Sequence, residues 1–90
     1  MAERREVTVD FFGVPRLRAG RAELDLPPGT VRETLTAVER ACPGLAGLVQ
    51  AGRLAPHYLL SVNGSRFGPD LDEALRPGDR LLLLSADAGG

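Results

Sequence analysis

The last six residues of the chain carry its clearest chemical signal. The apolar run Leu81–Leu84 is followed by Ser85-Ala86-Asp87-Ala88-Gly89-Gly90, a segment of mostly small side chains that ends in two glycines. A terminal carboxylate can be adenylated by ATP and then converted to an acyl thioester or a thiocarboxylate. An enzyme acting on it must take the tail through a narrow channel, and glycine, which lacks a Cβ, fits there and leaves the carbonyl open to attack. A frayed, inert tail is the alternative interpretation.

Few other residues could do chemistry. His57 is the one histidine and Cys42 the one cysteine, and no carboxylate cluster or glycine-rich loop has the spacing of a metal site or a phosphate-binding loop. His57 has no evident orienting partner, which favours a surface or strand-edge position over a catalytic base. Cys42 precedes a proline at the end of a predicted helix and is more typical of a small core residue than of a reactive thiol. We therefore expect a non-enzyme that binds neither metal nor cofactor.

Composition indicates one small globular domain. The 90 residues are 43% hydrophobic and 26% charged, with a net charge of −1. Without a basic excess the chain has little to displace counterions from phosphates, so nucleic acid is not an expected partner. The longest apolar run is four leucines, whereas a membrane span needs about 20 residues. No apolar stretch follows the charged N-terminus, and we expect a cytoplasmic protein without a membrane partner.

The basic residues are all of one type. All eleven are arginine, and the chain has no lysine. Only the N-terminal amine could therefore form a Schiff base or an isopeptide link.

The first half of the chain predicts two strands and a helix. Residues 7–12 and 22–26 alternate apolar and polar side chains, and a turn around Ala19-Gly20 joins them as an antiparallel hairpin. Phe12 falls on the non-core face of the first strand. Thr30-Val31-Arg32-Glu33 fits a capping box, and apolar residues continue at helical spacing until Pro43-Gly44 ends the helix.

The second half is less regular. Residues 44–56 could form one or two helical turns, although their glycines disfavour them. Residues 58–62 predict a strand, and the turn Asn63-Gly64 leads into a short return strand ending at Phe67. Residues 69–75 predict a helical turn. Residues 80–84, apolar on both faces, predict a central strand.

This element order predicts an α+β domain. If the first and last long strands lie side by side, a right-handed crossover puts the helix across one face of the sheet. That arrangement is the ubiquitin-like β-grasp, a mixed four- to five-stranded sheet crossed by one main helix, and another small α+β topology stays open. We expect the domain to span residues 1–84, with residues 85–90 as a flexible tail ending in Gly-Gly.

Several motifs occur together in a characteristic order over nearly the whole chain. They are Val9-Asp10-Phe11-Phe12-Gly13 followed by Arg16, Leu26-Pro27-Pro28-Gly29-Thr30-Val31, Val62-Asn63-Gly64, Leu75-Arg76-Pro77-Gly78-Asp79-Arg80-Leu81, and the terminal Gly89-Gly90. In this the chain resembles the MoaD/ThiS group of small ubiquitin-like sulfur-carrier proteins. Each motif alone is weak evidence for this resemblance, whereas the ordered set that ends at the last residue is specific evidence for it.

The resemblance implies a function and a set of roles. A ubiquitin-activating-like adenylyltransferase would use ATP to adenylate Gly90, and a sulfur donor would convert it to a thiocarboxylate for an acceptor enzyme. Ala88 and Gly89 would give the tail its slim approach. Phe12 and Leu84 match an apolar partner-facing patch of the molybdopterin synthase small subunit, and Phe67 is a weaker candidate for the same patch.

The tail departs from the family pattern. Ser85-Ala86-Asp87 stands where such tails commonly have prolines and an apolar residue, so Asp87 brings a negative charge to the partner-binding segment. The acceptor favoured by chain length and resemblance is the large subunit of molybdopterin synthase. The alternatives are sulfur delivery to cysteine, thiamine, thiolated RNA or a secondary metabolite, a ubiquitin-like protein modifier, and an interaction domain with an inert tail.

Overall fold

A mixed five-stranded sheet forms the centre of the computed structural model, which describes residues 5–86. In chain order the elements are β1 (Val7–Phe11), α1 (Val14–Ala19), β2 (Glu23–Leu26), α2 (Val31–Ala41), a 3₁₀ turn (Pro43–Leu45), β3 (Val49–Gln50), β4 (Arg53–Leu54), β5 (Tyr58–Val62), β6 (Arg66–Phe67) and β7 (Arg80–Ser85). The strand order in the sheet is β2-β1-β7-β5-β6, and β3 pairs with β4 separately. Within residues 5–86 no helix has the length and apolar character of a membrane span.

The two long strands at the ends of the chain are neighbours. β1 and β7 run parallel, with Phe11 aligned with Leu83, and β2 and β5 flank them as antiparallel partners. A parallel pair needs a crossover connection, and α2 lies within it. The predicted β-grasp fold and the central position of the last strand are confirmed.

One face of the sheet forms the core with α2. The alternate residues Val7, Val9 and Phe11 of β1 are at most 1% exposed, as predicted. They join a single apolar cluster with Val31, Leu35 and Val38 of α2, Leu81 and Leu83 of β7, and Leu60 and Val62 of β5. The opposite face of the sheet is not covered by α2, and we call it the open face.

The start of α2 satisfies its free backbone groups in two ways. The Thr30 hydroxyl accepts a hydrogen bond from Glu33 N at 3.1 Å, and Thr30 N donates to Glu33 Oε1 at 2.8 Å. This confirms the capping box, and the bonds to Thr30 lower the pKa of Glu33. Val31 N and Arg32 N donate to the carbonyls of Glu73 and Leu71, at 2.9 and 2.8 Å.

That second set of bonds explains why residues 69–75 are not helical. The carbonyls of Leu71 and Glu73 accept hydrogen bonds from the start of α2 and not from N–H groups within residues 69–75. Leu75 N donates to Gly29 O at 2.8 Å. The predicted helical turn is therefore wrong. Leu75 is nevertheless buried, and Leu71 packs against the core.

Several short elements and one strand end differ from the sequence-based expectation. The connection between β1 and β2 contains α1, which was not predicted; Pro15 stands in its first turn, where the missing N–H has no helical partner to lose. Residues 44–56 contain the 3₁₀ turn and the β3–β4 ribbon rather than one or two α-helical turns. The strand at the chain's end continues one residue beyond the prediction, to Ser85.

Candidate functional site

The chain leaves the sheet from the middle strand. β7 ends at Ser85, and Ala86 N still donates a hydrogen bond to His57 O at 2.8 Å, at the start of β5. Because β1 and β7 are parallel, the end of β1 lies at the same end of the sheet. We call this end the tail exit. The predicted tail residues Asp87, Ala88, Gly89 and Gly90 lie outside the described residues.

A row of apolar residues crosses the open face at the tail exit. Phe12 N donates to Leu83 O at 3.0 Å, which continues the pairing of β1 with β7 by one residue and brings Phe12 level with Leu84. On the other side of β7, Leu84 pairs with Leu59 of β5. Phe12 is 44% exposed, Leu59 42%, and Leu84 is partly buried. The structure therefore brings two of the predicted partner-binding residues, Phe12 and Leu84, together.

The next row of the open face contains Phe67, the third of the predicted partner-binding residues that the structure describes. Ser61 of β5 pairs with Leu82 on one side and with Phe67 of β6 on the other, and Phe67 is 63% exposed. We call the five apolar residues of these two rows the open-face patch: Phe12, Leu59, Phe67, Leu82 and Leu84. Sequence reasoning missed Leu59, although the alternation of Tyr58, Leu60 and Val62 toward the core already places it on the opposite face.

Charged side chains border the patch on the β1–β2 side. Arg80 donates to Asp10 through Nε and Nη2, both at 2.9 Å, and Nη2 also lies 3.0 Å from Glu23 Oε2. These carboxylates raise the pKa of Arg80. Thr8 Oγ1 donates to Asp25 Oδ1 at 2.6 Å. Three carboxylates against one guanidinium make this border acidic.

One buried side-chain oxygen on the open face lacks a hydrogen-bond partner among residues 5–86. Ser61 is fully buried, and its hydroxyl has no hydrogen-bond partner within residues 5–86. Its cross-strand neighbours on the two sides are Leu82 and Phe67. A buried hydroxyl without a partner loses its hydration for no gain, so this position is a local cost to stability.

Cys42 and His57, the two other residues considered for chemistry, lie in the core and on the surface, respectively. Cys42 is 1% exposed, and burial raises the pKa of its thiol, which favours the predicted role of a small core residue. His57 is exposed and immediately precedes β5, with its ring centroid 4.3 Å from that of Tyr58. Within residues 5–86 no group of three or more histidine, cysteine or acidic residues is arranged to hold a metal ion.

Sequence comparisons alone do not place the chain. Neither the protein-family models nor the curated proteins include a match to it. Solved structures do match across almost its whole length. CysO from the Amycolatopsis orientalis BexX/CysO complex is 29% identical, with 93% of this chain and 99% of that one aligned and a TM-score of 0.77.

Two further matches come from archaea. SAMP1 of Haloferax volcanii, a small archaeal modifier protein, is 26% identical, with 94% of this chain and 99% of that one aligned and a TM-score of 0.79. A protein of Pyrococcus furiosus assigned as subunit 1 of a molybdopterin converting factor is 26% identical, with 89% and 95% aligned and a TM-score of 0.74. The resemblance to the MoaD/ThiS type is confirmed.

The structural neighbours are of the sulfur-carrier and modifier type. These neighbours are small carrier or modifier proteins, in agreement with the prediction that the chain is not itself a catalyst. The comparisons support a sulfur-carrier role, and the neighbours include a chain crystallised in a complex and a subunit of a larger factor. Within the described residues, the candidate site is the open-face patch beside the end of β7.

Proposed function

We propose that the chain carries sulfur as a thiocarboxylate on Gly90 and that its acceptor enzyme docks on the open-face patch. The position of the patch supports this proposal. Phe12, Leu59 and Leu84 lie in one row where β7 ends, and Gly90 is the fifth residue after Ser85. Five residues span at most about 18 Å. A partner covering the patch would thus hold the terminal carboxyl within that distance of the end of β7.

The chemistry on the terminal carboxyl has two steps, adenylation and then replacement of AMP by sulfur. A carboxylate oxygen of Gly90 attacks the α-phosphorus of ATP, and pyrophosphate leaves. Hydrosulfide, HS⁻, then attacks the carbonyl carbon of the acyl-adenylate, AMP leaves with the bridging oxygen, and loss of the remaining proton on sulfur leaves the thiocarboxylate at Gly90. Gly89 and Ala88 keep the approach slim, since glycine adds no Cβ beside the reacting carbonyl.

The acceptor we propose is the large subunit of molybdopterin synthase. The length of the chain, 90 residues, supports it, as does the similarity to a molybdopterin converting factor subunit. The similarity to CysO supports a different acceptor, in cysteine or secondary-metabolite synthesis. To distinguish these two acceptors, the thiocarboxylated chain is offered to each of them, and conversion of the thiocarboxylate back to the carboxylate is measured.

Intact mass tests the carrier chemistry directly. The chain is incubated with ATP, magnesium, a sulfide source and a ubiquitin-activating-like adenylyltransferase. Exchange of one carboxylate oxygen for sulfur adds about 16 Da, and the increment should fall in the C-terminal fragment. A chain lacking Gly90, and a reaction lacking ATP, should show none. Absence of the increment with several adenylyltransferases, and in protein recovered from its native host, would leave the inert-tail interpretation.

A second candidate function is protein modification, which the similarity to a small archaeal modifier protein favours. In that case the acyl-adenylate of Gly90 is attacked by a lysine Nζ of another protein, AMP leaves, and an amide bond forms. Probing cell extracts for this chain would reveal thiol-resistant conjugates larger than the free protein. A carrier that does not modify proteins would give the free band alone.

A further inference from the structure

Helix α1 exposes apolar side chains that the fold does not bury. Pro15 is buried and Ala19 packs against the core, but Leu17 is 81% exposed and Val14 42% exposed. Val14 and Leu17 are three residues apart and therefore share one side of the helix. They form a short apolar strip that belongs neither to the core nor to the open-face patch.

Positive charge surrounds this strip. Arg16, Arg18 and Arg21 are exposed, and the segment from Val14 to Ala22 contains no acidic residue. Within residues 5–86 none of the three arginines forms an ion pair. A local excess of three positive charges on a chain of net charge −1 is a marked asymmetry. We call Val14, Arg16, Leu17, Arg18 and Arg21 the α1 ridge.

The ridge is held in a defined position. Gly20 N donates to Arg16 O at 3.0 Å and closes the helix, with Gly20 in the left-handed conformation at φ 71°. Arg18 Nη1 donates to the Tyr58 hydroxyl at 2.9 Å, which ties α1 to β5. Because α1 follows β1 directly, it starts at the tail exit. The ridge therefore lies near the departing chain but on a different element from the open face.

The two surfaces have opposite electrostatic borders. On its β1–β2 side the open-face patch is bordered by three carboxylates and one arginine, whereas the charged residues of the segment 14–22, which forms the strip, are all arginines. A single partner surface cannot be complementary in charge to both borders unless it changes sign between them. A carrier must visit two enzymes, one that activates the tail and one that accepts the sulfur, and two differently charged surfaces allow each enzyme a contact that the other lacks.

We propose that the α1 ridge is a docking surface for the activating adenylyltransferase, which would present an apolar pocket bordered by carboxylates. This rests on the proposed carrier function. The tail brings the charges of Asp87 and of the terminal carboxylate toward bound ATP, an electrostatically unfavourable approach. An arginine contact beside the tail exit offsets that repulsion without touching the reacting atoms. The acceptor, which binds no nucleotide in this scheme, has no such requirement.

The test measures activation and transfer separately. ATP–pyrophosphate exchange is followed at increasing carrier concentration with an adenylyltransferase that thiocarboxylates the wild-type chain in the intact-mass assay. Leu17→Ser and Arg16→Glu should each raise the KM for the carrier about tenfold and leave kcat unchanged, because the tail is intact. The effect of Arg16→Glu should shrink as salt is added. Arg76→Glu makes the same charge change near the start of β7, at the far end of the sheet, and should leave KM unaltered.

Sulfur transfer from thiocarboxylated Leu17→Ser to the acceptor should keep the wild-type rate. Each variant is first shown to keep the wild-type unfolding midpoint, as expected for exposed positions. A wild-type KM in both ridge variants, an equal rise in Arg76→Glu, or slowed transfer to the acceptor would overturn the assignment of the ridge. Failure of wild-type exchange with every adenylyltransferase would instead overturn the carrier function and, with it, this inference.

Discussion

Gly44 lies against the backbone carbonyl of Arg18 so closely that no side chain fits between them. A Cβ built on Gly44 would overlap the Arg18 oxygen and crowd its carbonyl carbon at 3.0 Å. Both groups are backbone, so neither can rotate away. This approach joins the 3₁₀ turn after α2 to helix α1, two elements that are distant in the sequence.

Gly44→Ala should therefore lower the free energy of unfolding by about 1–3 kcal/mol, the range for overpacking a close contact. Urea unfolding measures the difference. Ala46→Ser, an exposed change in the same segment, is the control and should stay within about 0.5 kcal/mol of wild type. A wild-type midpoint for Gly44→Ala would show that the turn moves away from α1 at no cost.

Removing the buried hydroxyl of Ser61 should stabilise the protein. Ser61 is fully buried without a hydrogen-bond partner for Oγ within residues 5–86, and Ser61→Ala removes that atom while keeping the β-carbon. We expect a gain of about 1 kcal/mol in unfolding free energy. Ser65→Ala is the matched control, because Ser65 is exposed and should change little. A loss of stability in Ser61→Ala would mean that the hydroxyl has a partner in solution.

Acid should weaken the turn before β7. The Asp79 carboxylate accepts hydrogen bonds from Arg76 N at 2.8 Å and from Asn63 Nδ2 at 3.1 Å, and the backbone bond is the main reason that its pKa lies below the ordinary 3.8. A lowered folded-state pKa adds stability that is complete above the unfolded value and is lost as the pH falls through the folded one. Asp79→Asn should thus be less stable than wild type near neutral pH, and the difference should narrow below about pH 4.

Unfolding midpoints near pH 7 and near pH 3 provide the comparison. Glu6→Gln is the control, since Glu6 is exposed and its carboxylate makes no hydrogen bond or ion pair within residues 5–86. A constant gap between Asp79→Asn and wild type across this range would show that the charge of Asp79 contributes nothing.

The long elements could be read from the sequence because local pattern and packing agree there. The capping box of α2 and the alternation of β1 both match the buried sets that the fold requires. Helix α1 could not be read, since it is six residues long, begins with a proline in its first turn and exposes its leucine. The prediction of a helical turn over residues 69–75 was wrong for another reason. Carbonyls of this segment accept hydrogen bonds from α2, a tertiary contact that has no local sequence pattern.

The same division applies to the candidate site. Phe12 and Phe67 could be named as partner-binding residues from their positions along predicted strands and from the family resemblance. Leu59 was missed, although strand alternation places it on the open face, because its neighbours in the row are known only from the register. Leu17 could not be named, because helix α1 was not predicted. The surfaces of a docking protein are set by tertiary structure, and its sequence shows only some of their members.

Polar substitutions in the open-face patch should weaken acceptor binding without unfolding the protein. Phe67→Ser and Leu59→Ser change side chains that are 63% and 42% exposed, so unfolding midpoints should move little. If the acceptor covers the patch, each change should lower its affinity about tenfold, measured by titrating the acceptor with the carrier. Val14→Ser, an equally exposed apolar position on the α1 ridge, is the control and should bind the acceptor normally. Equal losses in all three variants would argue for a nonspecific surface effect.

The absence of lysine predicts that the activated chain cannot join to itself through side chains. An acyl-adenylate at Gly90 is captured by an amine, which forms an amide and releases AMP, and this chain has no lysine amine to offer. The thiol of Cys42 is 1% exposed with a raised pKa, so it is a poor alternative nucleophile.

Incubation of the wild-type chain with ATP and an activating enzyme, but no sulfur donor, should give no thiol-resistant dimers on a denaturing gel. Arg76→Lys adds one exposed amine without changing the net charge and should allow dimers linked from Gly90 to the new lysine. Deleting Gly90 in that variant should remove them. Thiol-resistant dimers of the wild-type chain would contradict the prediction and identify the α-amine as the acceptor if N-terminal acetylation abolished them.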